Sequence, residues 1–277
     1  EASGGSAGNT AAGVGSLGGA AAFIGKVADD QLGAIYRHDM QAQGIDFGTS
    51  PLIGGDPTAR SMILITPDGE RTMNTFLGAA QELAPGDIDP GTVAAARITY
   101  MEGYLWDRPL AKDAFRKAAA LAHGAGRKVS ITLSDAFCVD RFRDEFIDLI
   151  RDGSVDVLFA NAAELKSLYQ TSDFETALKL IRGDGKLAVV TVGAEGAWVV
   201  SKEKVELAPA FPVEAIVDTT GAGDQFAAGF LFGLARGLPE KVAAELGNLA
   251  AAEVIGHIGP RPAVRLRDLA RSAGFTV

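Results

Sequence analysis

The chain has 277 residues, 35 acidic against 26 basic side chains for a formal net charge of -9, and a hydrophobic fraction of 47%. These values fit one large α/β domain, or one domain with a small appendage, and exclude a generally disordered chain. The negative charge argues against nucleic acid or an anionic membrane as a partner. The single cysteine, Cys138, cannot form an internal disulfide, and no signal peptide is recognised, so we expect a cytoplasmic protein.

The N-terminal part of the chain predicts two helices and one strand. A glycine cluster at residues 4–8 opens a helix of small residues. An apolar run from Ala20 to Val27 then reads as a strand, and Asp30 caps a helix that extends to about Gln43. Together the last two segments predict a first strand-then-helix unit.

A hairpin follows. The extended runs 61–66 and 71–76 flank a turn sequence at residues 67–70, in which Pro67 fixes φ and Gly69 permits positive φ. This hairpin interrupts the α/β pattern, so we expect it to pair outside the main sheet.

From residue 98 onward, predicted strands and helices alternate, which favours a mainly parallel central sheet with helices on both faces. The predicted strands are 98–101, 129–133, 155–159 and 187–192, followed by edge strands at 197–201 and 204–207. The predicted helices are 107–123, 139–150, 162–169, 223–235 and 239–256.

The segment from Asp218 to Asp224, Asp-Thr-Thr-Gly-Ala-Gly-Asp, carries the strongest chemical signal. Glycines at the start of a helix leave backbone N–H groups free for an anion, such as a transferring phosphoryl group. Asp224, in the first turn, is placed to take a proton from an attacking hydroxyl. Alternatively, Asp224 only complements the helix dipole and the glycines only make a tight turn.

The N-terminal glycine cluster has two interpretations. Gly4, Gly5 and Asn9 could hold substrate hydroxyls, since an amide both donates and accepts. Close helix packing is the alternative. The residues 13–18 match G-x-G-x-x-G, but a dinucleotide fingerprint must follow a strand, so we attribute this match to chance. A P-loop sequence is absent, which excludes a P-loop nucleotide site.

These segments and their order resemble the ribokinase-like, phosphofructokinase-B-type family of carbohydrate and nucleoside kinases, over nearly the whole chain. The resemblance implies a single kinase domain over residues 1–277, with the hairpin at about 61–76 inserted as a small β lid. Family members normally begin with a strand before the glycine cluster. The sequence starts three residues before that cluster, so we expect this N-terminal strand to be missing from it.

The resemblance also implies roles for individual residues on the acceptor side. Asp224 would be the catalytic base, and the backbone of Gly221, Ala222 and Gly223 the anion hole. Substrate contacts would come from Gly4, Gly5, Asn9 and Glu102. For Glu102, a solvated carboxylate at a strand end is the alternative.

On the nucleotide side, Asn161 and Glu164 match the family's N-x-x-E motif, and Glu164 would organise Mg²⁺ through water. The same spacing also fits an N-cap with a first-turn acid. Thr191, Gly193 and Gly196 match its T-x-G-x-x-G nucleotide loop. Asn248 would contact the adenine edge, or would be a helix-surface amide. Asp218 and Thr220 match residues around a monovalent cation in some relatives, and whether potassium binds here stays open.

The function implied is ATP-dependent phosphorylation of a hydroxymethyl group on a nucleoside or sugar, with adenosine favoured because residues 71–79 and 102–107 look like bacterial adenosine-kinase-like members. Four large side chains could form a wall for a purine, or belong to the core: Met73, Phe76, Tyr104 and Trp106. The alternatives are a ribokinase, fructokinase or 2-keto-3-deoxygluconate kinase, a catalytically silent sugar-binding relative, and a dinucleotide oxidoreductase. Family lids often pair subunits, so a homodimer through the hairpin is also expected.

Overall fold

The computed structural model describes residues 2–277, which divide into two compact units, one formed by residues 2–83 with Phe211–Val277 and the other by Ala84–Ala210. The α-helices are α1 (Ser6–Ser16), α2 (Gln31–Ala42), α3 (Pro90–Ala95), α4 (Pro109–Gly124), α5 (Ala136–Arg151), α6 (Ala162–Leu168), α7 (Phe174–Gly183), α8 (Ala222–Ala235), α9 (Glu240–Val254) and α10 (Leu266–Ser272). The strands are β1 (Arg60–Ile65), β2 (Arg71–Phe76), β3 (Ile98–Glu102), β4 (Lys128–Thr132), β5 (Val157–Asn161), β6 (Leu187–Thr191), β7 (Gly196–Val200) and β8 (Val205–Pro209).

The second unit is built on a six-stranded sheet in the order β3-β4-β5-β6-β7-β8. Strands β3 to β6 run parallel, while β7 and β8 add on as an antiparallel pair at the edge. The central strands are buried along runs such as Val157–Ala160 and Ala188–Val190, as expected where helices cover both faces. The predicted α/β class with a mainly parallel sheet is confirmed.

In the first unit, helix α8 packs against both α1 and α9. Helices α8 and α9 approach very closely, because a Cβ atom on Gly229 would lie only 2.6 Å from Leu246 O. The hairpin β1–β2 forms a separate two-stranded antiparallel sheet, so the sequence prediction for this segment is confirmed.

Two sequence predictions of secondary structure differ from the structure, and one further helix named below was not predicted. The strand expected over residues 20–27 is not formed, and this part of the chain makes only two isolated parallel bridges, Ala22 to Asp46 and Ala28 to Leu52. Each of the two segments that join the bridges contains a glycine, Gly25 in one and Gly48 in the other, and glycine weakens a strand. The helix expected from residue 107 begins at Pro109, since proline favours a helix's first turn. Helix α7 was not predicted, although Asp173 caps it.

Two further features bear on membrane insertion and thiol chemistry. Within residues 2–277, every helix falls short of the length and apolar character that a membrane crossing requires. Cys138 is buried in the second unit, and its Sγ donates to Gly103 O at 3.2 Å. Burial raises the pKa of this thiol to about 12, which leaves it protonated and unreactive at neutral pH.

Candidate active site

The loop before helix α8 has a backbone that only glycine fits. Gly221, the N-cap of α8, has φ 83° and ψ −1°, and a Cβ atom there would lie 2.5 Å from Pro260 O. Gly223, two residues later, is exposed with open space around its Cα. The first turn of a helix leaves N–H groups without intrahelical partners, so this loop can offer backbone donors to a ligand. Of these, Ala222 N already donates to Thr219 O at 3.3 Å.

Asp224 lies in the first turn of α8, where its Oδ2 accepts a hydrogen bond from Asn9 Nδ2 at 2.8 Å. The residue as a whole is partly exposed, but its carboxylate is buried, and this desolvation raises its pKa above the ordinary value. Hydrogen bonds from Asn9 and Ser6 and the charge of Arg71 oppose the rise in pKa. A carboxylate with raised proton affinity in the first turn of a helix suits general base catalysis.

Asn9 is 4% exposed, and its Oδ1 is buried without a partner among residues 2–277. Since its Nδ2 already donates to Asp224, the amide orientation leaves Oδ1 as an acceptor for a hydroxyl. Gly4 and Gly5 precede it, with Gly5 as the N-cap of α1 at φ 86° and nothing within 4 Å of either Cβ position. The first unit therefore brings Asn9 and Asp224 together.

Asp218 is almost fully buried and shapes the same loop. Its Oδ1 accepts from Thr220 N at 2.9 Å and its Oδ2 from Gly259 N at 3.0 Å. Burial raises its pKa, but hydrogen bonds from Thr220 and Gly259 and the charge of Arg71 more than offset this, so the net pKa lies below its ordinary value. Thr220 is itself only 7% exposed, so its hydroxyl is buried beside this carboxylate.

Arg71 is a residue that the sequence reasoning missed. Its Nη1 donates to Thr219 Oγ1 at 2.7 Å, and that hydroxyl donates to Gly69 O at 3.2 Å, so the hairpin turn is bonded to the loop. The charge of Arg71 lowers the pKa of both Asp218 and Asp224. The available signal was a basic residue directly after the predicted turn.

Asn248, in α9, is 7% exposed, so the alternative of a helix-surface amide is wrong. Its burial follows from the close packing of α9 against α8.

In the second unit, the predicted residues lie at the carboxyl ends of parallel strands. Glu102 is the last residue of β3, Asn161 of β5 and Thr191 of β6, and Asn161 pairs directly with Thr191. In open α/β sheets, this edge is where ligands bind. Gly193 and Gly196 follow with φ 49° and 110°, and a side chain on Gly196 would collide with Ala208 O.

Asn161 and Glu164 form a reciprocal capping box. Asn161 Oδ1 accepts from Glu164 N at 2.9 Å, while Glu164 Oε2 accepts from Asn161 N at 3.0 Å and Oε1 from Asn161 Nδ2 at 2.6 Å. The capping alternative is thus realised. Glu164 is nevertheless 5% exposed, and burial raises its pKa to about 7, which is unusual for a simple cap.

The donor set limits how a metal could bind. Among residues 2–277, no group of three or more His, Cys, Asp or Glu side chains is arranged to hold a metal ion. Both Glu164 oxygens already accept hydrogen bonds from Asn161. Asn161 and Glu164 fit a cation such as Mg²⁺ only if water molecules and substrate phosphates supply most of its ligands. Mg²⁺ sites in proteins commonly have this composition.

A parallel α/β sheet with polar residues at its strand ends lies in the second unit, and a glycine loop with an acidic residue at a helix start lies in the first unit. Each is a feature expected of a phosphotransferase. The model of the pfkB family of carbohydrate kinases matches residues 1–265, and the chain belongs to this family. The resemblance stated from the sequence is therefore confirmed, and the chain is an ATP-dependent kinase rather than an oxidoreductase or a silent relative.

Two solved structures are very similar to the chain. A crystal structure of adenosine kinase from Sinorhizobium meliloti is 58% identical with a TM-score of 0.97, over 99% of this chain and 84% of that one. A probable sugar kinase from Rhizobium etli CFN 42 is 54% identical with a TM-score of 0.96, over 98% and 82%. An ATP-dependent ribose-1-phosphate kinase from Halopiger xanaduensis is 30% identical over 268 residues, 94% of this chain and 82% of the relative.

Proposed function

We propose that the chain phosphorylates the hydroxymethyl group of a ribonucleoside with ATP, and that adenosine is the preferred acceptor. The observation that carries the chemistry is the Asn9–Asp224 pair at the glycine loop of α8. The choice of acceptor is supported by the 58% identity to the adenosine kinase of S. meliloti. The 54% identity to a probable sugar kinase favours the second candidate, a sugar kinase of the ribokinase, fructokinase or 2-keto-3-deoxygluconate kinase type.

In this proposal, Asp224 takes the proton from the acceptor hydroxyl as that oxygen attacks the γ-phosphate of ATP, so the O–H bond breaks as the new O–P bond forms. The bond between the γ-phosphorus and the β–γ bridging oxygen breaks in the same step, and ADP leaves with that oxygen. Asn9 Nδ2 holds the carboxylate, and the unpartnered Asn9 Oδ1 accepts from a second hydroxyl, assisted by backbone at Gly4 and Gly5. Backbone N–H groups of Gly221, Ala222 and Gly223 stabilise negative charge on the transferring group.

The residues of the second unit are proposed to serve the acceptor and the nucleotide. Glu102 contacts acceptor hydroxyls, Thr191, Gly193 and Gly196 hold ATP, and Glu164 with Asn161 holds Mg²⁺ through water. Asn248 of the first unit is proposed as an adenine contact. When bound, Mg²⁺ would neutralise charge on the phosphate oxygens.

The hairpin register defines an inner and an outer face. Ile65 pairs with Arg71 and Ile63 with Met73, so these four share the face that bonds to the loop. We propose that Ile63 and Met73 cover the acceptor with an apolar surface, which suits a nucleoside base better than a free sugar.

Two of the four predicted wall residues are poorly placed for this role. Phe76 pairs with Arg60 on the opposite face, where the Arg60 guanidinium lies 5.8 Å from the ring centre. Trp106 is fully buried in the second unit, and its Nε1 donates to Glu145 Oε2 at 3.0 Å. Trp106 is therefore a core residue, as the alternative interpretation held, and does not line a purine site. Tyr104, 43% exposed, stays a candidate.

The deciding experiment compares kcat/KM for adenosine, ribose, fructose and 2-keto-3-deoxygluconate with ATP and Mg²⁺, using Asp224→Asn as the inactive control. We expect adenosine to have the highest value. Faster turnover of a free sugar would replace the nucleoside assignment by the sugar-kinase candidate.

Two finer proposals concern potassium and assembly. Asp218 and Thr220 are proposed to lie at a monovalent cation site, which predicts higher kcat in potassium than in an equal concentration of choline. A homodimer through the hairpin is supported by its exposed outer face, where Met62 is 72% and Leu64 64% accessible.

A further inference from the structure

Gln225 directly follows Asp224 in α8 and is completely buried. Its Nε2 donates two hydrogen bonds, to Asn9 O at 3.0 Å and to Pro260 O at 3.0 Å. Its Oε1 is buried without a partner among residues 2–277. Burying the Oε1 acceptor without a hydrogen bond destabilises the fold. The presence of glutamine here is therefore explained by the two hydrogen bonds that its Nε2 donates.

Both acceptors of Gln225 belong to segments that hold the candidate site. Asn9 lies in α1, and its side chain donates to Asp224 Oδ2 at 2.8 Å. Pro260 packs closely against Gly221, the N-cap of α8, which has a left-handed backbone conformation. One amide therefore fixes α1 and the Pro260 segment to the helix that carries Asp224.

Gly13 provides an independent observation. It lies one helical turn after Asn9 in α1, and a side chain there would collide with Gln225 Oε1 and lie 2.6 Å from Ala228 Cβ. A glycine at this position is thus required for the Gln225 amide to reach between the two helices. The G-x-G-x-x-G spacing that contains Gly13, which has no role in dinucleotide binding, has a packing explanation at this residue.

We propose that Gln225 is a positioning residue that keeps the Asn9 amide within hydrogen-bonding distance of Asp224. This inference rests on the proposed role of Asp224 as the base. The groups that act on Asp224 are Asn9 and Ser6 from α1, which donate hydrogen bonds, and Arg71 from the hairpin, which supplies positive charge. Because the Asn9 bond lowers the pKa of Asp224, displacement of Asn9 raises that pKa.

The test replaces Gln225 by methionine, which has similar volume and no N–H donors. The pKa of Asp224 is measured by ¹³C NMR on protein with ¹³C-labelled aspartate carboxyl groups, and its signal is assigned by its absence in Asp224→Asn. We expect Gln225→Met to raise the pKa of Asp224 in the same direction as Asn9→Ala, and the double variant to show no additional rise. With ATP and the best acceptor, kcat should fall about tenfold while the KM for ATP stays within about twofold.

A control separates positioning from general destabilisation. Leu266→Ala removes a buried side chain from the core around α10, away from these hydrogen bonds, and should lower thermal stability without moving the Asp224 titration. If Gln225→Met does not fold, Gln225→Asn, which is too short to reach both carbonyls, is measured instead.

An Asp224 titration in Gln225→Met or Gln225→Asn that matches the wild type, while Asn9→Ala shifts it, overturns the positioning role. An unchanged titration in Asn9→Ala also overturns it, because the Asn9 contact would then not act on Asp224. Since NMR needs no turnover, absence of kinase activity would contradict the proposed function alone.

Discussion

Arg71 Nη1 and Thr219 Oγ1 form a 2.7 Å hydrogen bond between residues 148 positions apart, joining the hairpin to the loop that leads into Asp224. The chemistry of the loop therefore depends on a residue of the hairpin. Because Arg71 lowers the pKa of two aspartates in that loop, its charge affects the protonation of the proposed base.

Replacing Arg71 by glutamine removes this charge, so the pKa of Asp224 should rise. The acid limb of the pH profile of kcat/KM would then move to higher pH, since the base must be deprotonated to act. We expect kcat/KM at pH 7 to fall about 10- to 100-fold, the usual loss for a charged hydrogen bond. Arg60→Gln, on the outer hairpin face, is the matched control, and an equal effect of both variants would contradict this role for Arg71.

Asp224→Asn should lower kcat by roughly 10²- to 10⁴-fold, the typical contribution of a positioned general base. ATP affinity, measured by calorimetry, should change little, because the side chain is proposed to act on the acceptor hydroxyl. Turnover close to that of the wild type would exclude Asp224 as the base.

Glu164 should make stability depend on pH. Its pKa of about 7 in the folded chain lies above the unfolded value of about 4.5, so its contribution is fully present below pH 4.5 and is lost as the pH rises through 7. Between pH 4 and 8 the wild type should lose about 3 kcal/mol of unfolding free energy relative to Glu164→Gln.

The measurement is urea unfolding without Mg²⁺ at several pH values. Glu175→Gln, which replaces an exposed acid in the first turn of α7, is the control and should track the wild type. A constant difference between Glu164→Gln and the wild type across this pH range would show that Glu164 does not titrate there.

Met73→Ala should raise the KM for adenosine about threefold to tenfold and leave that for ribose unchanged, because loss of apolar cover over a base costs on the order of 1 kcal/mol. Met62→Ala, on the outer face of the hairpin, is the control. Equal effects on adenosine and ribose would argue against a base-covering role.

If the hairpin pairs two copies of the chain, Met62→Lys should convert the dimer to a monomer in light-scattering measurements, because a charge would be buried in an apolar contact. Ile53→Lys, at a residue 83% exposed elsewhere in the first unit, should leave the mass unchanged. A monomeric wild type would rule out the dimer.

Local sequence signals predicted much of the fold. The turn chemistry of Pro67 and Gly69 located the hairpin, and the spacing of Asn161 and Glu164 anticipated their capping box. The buried run 187–191 gave a central strand. Each of these depends on residues within a few positions of one another.

Contacts between distant segments were not predictable in this way. The bond from Arg71 to Thr219 and the amide bridge from Gln225 depend on tertiary packing. The outer placement of Phe76 depends on strand register, in which a shift of one residue exchanges the faces. Trp106 is buried because its ring packs between Phe115 and Phe146, which the sequence does not place together.

The burial of Cys138 has a practical consequence. With its thiol held protonated and 8% exposed, the only cysteine of the chain should resist maleimide reagents. A cysteine introduced by Glu70→Cys, in the exposed hairpin turn, would then be the single site for a fluorescent dye. Such a labelled protein would test in stopped-flow experiments whether the hairpin moves during turnover, without prior removal of native thiols.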